Sequence, residues 1–196
     1  DEREELLDTG GGLLKAKETY NESLPDDNPY EGKLYKKTPF FPYNMKEMLD
    51  NNDAGVLRVS PYGNNLVLDF AKRAIEKESL GKDAITDFLA VSFSSTDYIG
   101  HNFGPRSIEI QDTYLRLDES IADFLNYLDA TVGKNQYLVF LTADHAGAEN
   151  VTYLKDNKYK VDNINYKNVE SDLKEFSKAT FGEDLILKYD SFNVFF

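Results

Sequence analysis

Phe88-Leu89-Ala90-Val91-Ser92-Phe93 and Tyr137-Leu138-Val139-Phe140-Leu141 are short apolar runs of the kind buried as strands in a parallel sheet. Between them Ile110, Tyr114, Leu117, Ile121, Phe124 and Leu128 recur in steps of four and three, which keeps them on one helix face, and Gly133 follows as a stop. Strand, crossover helix and parallel strand make a βαβ unit, which is almost always right-handed. The sequence therefore predicts an α/β fold, with a parallel-sheet core and flanking helices.

The two runs lead into the chain's two histidines. The first delivers Asp97 and His101 in Ser94-Ser95-Thr96-Asp97-Tyr98-Ile99-Gly100-His101. The second delivers Asp144 and His145 in Thr142-Ala143-Asp144-His145. Ligands of open parallel sheets bind beyond the carboxyl ends of the strands, where both pairs are expected to lie. Neutral imidazole and ionised carboxylate are the ligands that Zn²⁺ takes, so two Asp/His pairs read as halves of a two-metal hydrolytic site. A simpler role is open to each pair, the histidine as an ordinary hydrogen-bonded residue and the aspartate as a turn former or cap. Two pairs in matching contexts favour metal.

At 196 residues the chain is long enough for one full domain with a sizeable core. With 41% hydrophobic and 29% charged residues it has the composition of a soluble globular protein. Zero cysteines exclude disulfides, thiolate metal sites and a cysteine nucleophile. A net charge of −13 disfavours nucleic acid and anionic membrane as partners. It weighs little against a small phosphate ester, because two divalent cations would offset the negative charge where the chemistry happens. The acidic opening Asp1-Glu2-Arg3-Glu4-Glu5 is unlike a signal peptide, and neither terminus reads as a natural chain end.

Three regions follow. Residues 1–55 form an irregular, aromatic and proline-rich excursion: Gly10-Gly11-Gly12 interrupts any helix, and Pro25, Pro29, Pro39 and Pro42 alternate with Tyr30, Tyr35, Phe40, Phe41 and Tyr43. Asp26-Asp27-Asn28-Pro29 reads as a turn, as does Asp50-Asn51-Asn52-Asp53-Ala54-Gly55, which lacks the alternating acids and closing glutamate of a calcium loop. Residues 56–150 hold the ligand-bearing core. Here Ser60-Pro61 predicts a helix start with serine as cap, Leu66, Phe70 and Ile75 an apolar stripe, and Gly81 a stop. Residues 151–196 predict a helix on Val169, Leu173 and Phe176 ended by Gly182, then a closing hairpin from 185–187 and 192–196.

Asp97-Tyr98-Ile99-Gly100-His101 with Gly104-Pro105, followed by Thr142-Ala143-Asp144-His145, resembles the alkaline phosphatase superfamily. Within it the pattern is most similar to the type I phosphodiesterase/nucleotide pyrophosphatase branch, particularly the PafA-type bacterial alkaline phosphatases. Ser94-Ser95-Thr96, Leu115-Arg116-Leu117-Asp118 and Ser60-Pro61-Tyr62-Gly63-Asn64 look like the same family, and the likeness is strongest over 56–150. It implies that Asp97 and His101 bind one zinc with a later histidine. Asp144 and His145 would bind a second zinc with an earlier aspartate and the nucleophilic threonine or serine.

Those other family residues have no counterpart here, so the chain is expected to be the middle portion of such an enzyme, an incomplete α/β domain whose partner is the remainder of the parent enzyme. Ser94, Ser95, Thr96 and Thr142 adjoin ligands, but the resemblance makes none of them the nucleophile, and turn or cap hydrogen bonds account for them. The implied activity is zinc-dependent hydrolysis of phosphoric esters, phosphomonoesters first, by in-line attack through a covalent phospho-enzyme. The implied location is periplasmic or secreted. Nucleotide pyrophosphatase/phosphodiesterase and phosphoglycerate-mutase-like activities share these motifs. A catalytically silent metal-binding or interaction domain is the alternative from another class.

Overall fold

A computed structural model describes residues 11–34, 41–52, 55–162, 166–190 and 192–196. The chain divides into two compact units, 1–153 and 154–196. In the first unit a single 3-10 turn, Lys17–Thr19, precedes helices α1 (Met45–Asn52), α2 (Gly55–Arg58), α3 (Tyr62–Lys77), α4 (Ser94–Phe103) and α5 (Ile108–Leu128). A short helix α6 (Val151–Asp156) crosses the boundary, and α7 (Tyr166–Phe181), β1 (Lys188–Asp190) and β2 (Asn193–Phe195) make the second unit. Among the described residues no helix is long and apolar enough to cross a membrane.

The predicted parallel sheet is not formed among the described residues, whose sheet is the two-stranded β1–β2 hairpin. Residues 88–93 and 137–141 belong to no strand. Most of their apolar side chains are exposed, Phe88 80%, Leu138 86% and Phe140 73%, while Val91, Phe93 and Tyr137 are half-buried. A run becomes a strand only when a neighbour takes its backbone hydrogen bonds, and that pairing is not encoded in the run itself. The ligand-bearing segments thus start from unpaired backbone rather than from strand ends.

The helix predicted on Ile110 to Leu128 is α5. Ser107 caps it, its Oγ accepting from the amide of Ile110 at 3.2 Å. A single wide turn continues it to Gly133, whose φ of 120 closes the segment.

In α3 two expectations are corrected. Its cap is Pro61, and Ser60 Oγ instead donates to the carbonyl of Leu57 at 3.0 Å. The buried stripe is Asn64, Leu68, Ala71 and Ile75, whereas Leu66 and Phe70 are 48% and 77% exposed. At about 100° per residue, nine residues from Leu66 to Ile75 turn through about 900°, placing the two on opposite faces. The helix stops before Gly81: Ser79 takes the left-handed conformation (φ 56), and the amide of Leu80 donates to the carbonyl of Ile75.

The core of the first unit gathers Leu34, Tyr43, Met45, Met48, Val56, Tyr62, Ile99, Phe103 and Ile110. The aromatic excursion contributes through Tyr43, whose ring lies 4.8 Å from Phe41 and 6.3 Å from Phe103. Tyr35, Phe40, Pro39 and Gly10 fall outside the described residues. Residues 50–52, read as part of a turn, close helix α1 instead, with Asp53 and Ala54 outside the described residues. Asp112 knits the excursion to α5, accepting from Leu14 N (2.8 Å), Tyr20 OH (2.5 Å) and Arg116 Nε (2.6 Å).

In the second unit Gly182 (φ 84) follows α7. Phe176, expected on the buried stripe, is 63% exposed. Its neighbour Ser177 is buried, donating to Glu183 O and accepting from Leu185 N. The hairpin pairs Lys188 with Phe195, Tyr189 with Val194 and Asp190 with Asn193, slightly later in its first arm than expected.

Candidate metal centre

Asp97 and His101 lie on helix α4, not in a loop beyond a strand. Ser95, Ile99 and Phe103, four apart, are buried against the core, and this fixes the rotation of the helix. Asp97 and His101, also four apart, therefore share the outer face. Gly63 lets α3 pass close to α4, since a Cβ there would collide with Ser95 Oγ. The i,i+4 spacing of the pair was visible in the sequence, but the preceding apolar run predicts a place just past a strand end rather than on a helix.

His145 arrives from the extended 137–141 segment. The loop after it is held by an Arg106–Glu149 ion pair (2.8 Å) and by Asn150 Nδ2 donating to Tyr30 O (2.9 Å). Gly147 packs at Pro105, just beyond α4. These ties bring the loop beside the outer face of α4.

Asp97 Oδ1 lies 3.3 Å from His101 Nε2 and 3.6 Å from His145 Nε2, and His145 Nε2 lies 3.5 Å from Asp144 Oδ2. One donor atom each from Asp97, His101 and His145 falls within 4.8 Å of the others. Charge-assisted N–H···O contacts are shorter, about 2.7–2.9 Å. Ligands about 2.0–2.1 Å from a tetrahedral ion stand roughly 3.3 Å apart, close to the spacings seen here, so the donor set and its geometry fit such an ion. His145 Nδ1 faces the carbonyl of Ala146 at 3.3 Å. A carbonyl can only accept, so a hydrogen bond here has Nδ1 as its donor and leaves Nε2 facing the carboxylates of the cluster. All four side chains are exposed, making an open surface site.

None of the neighbouring hydroxyls is aimed at this cluster by a hydrogen bond among the described residues. Thr96 Oγ1 accepts from Asn64 Nδ2 (3.0 Å), Ser94 Oγ pairs with Ser92 Oγ (3.1 Å), and Thr142 Oγ1 donates to Ala143 O (3.3 Å). Ser95 is buried where α3 passes at Gly63.

Residues 14–181 match the model of the type I phosphodiesterase / nucleotide pyrophosphatase family, and the chain belongs to that family. It is 44% identical over 184 residues to alkaline phosphatase PafA of Elizabethkingia meningoseptica, covering 93% of this chain and 34% of that protein. Alkaline phosphatase PhoV of Synechococcus elongatus is 54% identical over 143 residues (72% of this chain, 26% of PhoV). A Myroides odoratus protein named calcium-transporting ATPase is 48% identical over 189 residues (94% of this chain, 34% of that protein). The crystal structure of wild-type PafA superposes with a TM-score of 0.85 at 42% identity, covering 98% of this chain and 37% of PafA, so the fold is alkaline-phosphatase-like. The chain spans about a third of the length of the first of these relatives.

Proposed function

We propose that this chain supplies part of the metal-ligand set of a zinc-dependent phosphoric ester hydrolase, with phosphomonoesters as preferred substrates. Asp97 and His101 would hold one zinc, Asp144 and His145 a second. The observation that carries the proposal is the meeting of Asp97, His101 and His145 donor atoms within 4.8 Å, brought from a helix and from a separate loop. Bound zinc would supply positive charge for the phosphoryl oxygens and lower the pKa of an attacking hydroxyl.

The chain's own contribution is orientation. The buried face of α4 holds Asp97 and His101 outward, and the Ala146 carbonyl faces His145 Nδ1. The carboxylates of Asp97 and Asp144 would bring negative charge that favours a cation beside each histidine. The attacking hydroxyl belongs to the remainder of the parent enzyme, because the local serine and threonine hydroxyls are engaged elsewhere. The names of the PafA and PhoV relatives favour phosphomonoesterase chemistry. The family's own description keeps phosphodiesters and nucleotide pyrophosphates as the second substrate class. A periplasmic or secreted location belongs to the same proposal.

The test is His145→Ala in the full-length parent. Zinc content should fall, and aryl phosphate turnover should drop by about 10³-fold or more, as expected when a group acting on transition-state charge is lost. Turnover and zinc content near the parent's would remove His145 from the ligand set.

A further inference from the structure

Away from the histidines, three carboxylates converge that the family motifs do not involve. Asp26 and Glu31 come from the aromatic excursion, and Glu109 from the first turn of α5. One oxygen of each lies within 4.8 Å of the other two. Like charges this close repel, so something must compensate them.

Local compensation is incomplete. Lys17 Nζ reaches Asp26 Oδ2 at 2.8 Å, Tyr43 OH donates to Glu109 Oε1 at 2.5 Å, and Asn28 donates to both oxygens of Glu31. Yet Asp26 Oδ1 and Glu109 Oε2 are buried and have no hydrogen-bond partner among the described residues. Glu109 is 4% exposed and the Asp26 side chain 3%. Buried carboxylate oxygens are ordinarily satisfied, so two orphans in one acidic cluster point to a missing cation.

We propose that Asp26, Glu31 and Glu109 form a second cation site, sharing no residue with the Asp97/His101/Asp144/His145 cluster, and that it takes calcium in preference to magnesium. The donors are all oxygen, which selects a hard cation over zinc. Calcium accepts irregular, partly bidentate carboxylate sets, whereas magnesium demands a near-octahedral shell and keeps several waters. Two positive charges on the ion and one on Lys17 match three carboxylates.

The site would clamp the excursion onto α5. The same stretch is tied nearby by Leu24 N to Arg106 O (2.7 Å) and Gly32 N to Asn102 O (2.8 Å), at the end of α4. Asp26, which the sequence presented as a turn residue, would then serve as a ligand.

Calcium alone, added to the chelator-stripped 196-residue protein, tests this by calorimetric titration and thermal melting. One ion should bind per chain and raise the melting temperature. Glu109→Gln and Glu31→Gln should each weaken binding about tenfold or more. The double variant Asp97→Asn/His145→Ala should bind calcium like the parent. The half-buried Glu31 position keeps the test decisive if Glu109→Gln fails to fold, judged by far-UV circular dichroism. The site is refuted by a parent that shows no binding heat and no melting shift, or by unchanged affinity in the glutamine variants. Loss of binding in the Asp97→Asn/His145→Ala variant alone, or magnesium binding as tightly as calcium, would also refute it.

Discussion

Replacing Glu109 with glutamine isolates the cost of burying a carboxyl in the first turn of α5. Tyr43 OH donates to Glu109 Oε1, and a glutamine carbonyl can accept the same bond. Burial pushes this carboxyl from its ordinary 4.5 up to about 7. The folded state then holds the proton more tightly than the unfolded state, so stability is lost as pH rises from 4.5 to about 7 and is level above that. At about 1.4 kcal/mol per pH unit the loss is about 3 kcal/mol. Glutamine has no proton to lose. The calcium-free variant should therefore be more stable than the parent by about 3 kcal/mol near pH 8, with little difference near pH 4. Glu31 titrates over the same range, so the difference between variant and parent is the quantity to read, not the slope of either. Urea unfolding of chelator-treated protein, followed by circular dichroism at both pH values, measures it. A gain as large at pH 4 as at pH 8, or no gain at pH 8, would refute the electrostatic reasoning. Saturating calcium should reverse the order, because only the parent then has its full ligand set.

Gly104 follows α4 at φ 90 and ψ 164, a region essentially reserved for glycine, and a Cβ there would meet nothing within 4 Å. Gly104→Ala should cost about 1–3 kcal/mol in urea unfolding through backbone strain alone, and an unchanged midpoint would contradict this. Asp112→Ala removes the acceptor for Leu14, Tyr20 and Arg116 and leaves the half-buried guanidinium without its carboxylate. The expected cost is about 3 kcal/mol or more, read in the same assay, and a loss under about 1 kcal/mol would show the hub to be dispensable. The largely exposed 88–93 and 137–141 runs predict concentration-dependent self-association of the 196-residue protein in sedimentation. Leu138→Lys/Phe140→Lys should suppress it; association equal to the parent's would mean that another surface is responsible.

Local chemistry made much of this chain readable in one dimension. Helix α5 could be located because its signals are local: the four-and-three spacing from Ile110 and the glycine at 133, with the cap at Ser107 seen only in the structure. The terminal hairpin was legible for a similar reason, as two apolar runs close enough to pair with each other. The Asp/His pairs stood out because histidine is so scarce here, and their spacing survives as the shared face of α4 and the His145 loop.

Tertiary structure decided what depends on partners distant along the chain. Residues 88–93 and 137–141 carry strand-like composition, but a sheet is a set of hydrogen bonds to other segments, and these runs have no ladder partner among the described residues. Which side of α3 is buried turned on where α4 and α5 lie, so Leu66 and Phe70 face outward while Leu68 and Ile75 pack inward. The meeting of His145 with Asp97, and of Asp26 and Glu31 with Glu109, joins residues from different elements. Residue type determines that a carboxylate or imidazole can bind a cation. Only the closing of the chain around them places the donors within reach of one ion.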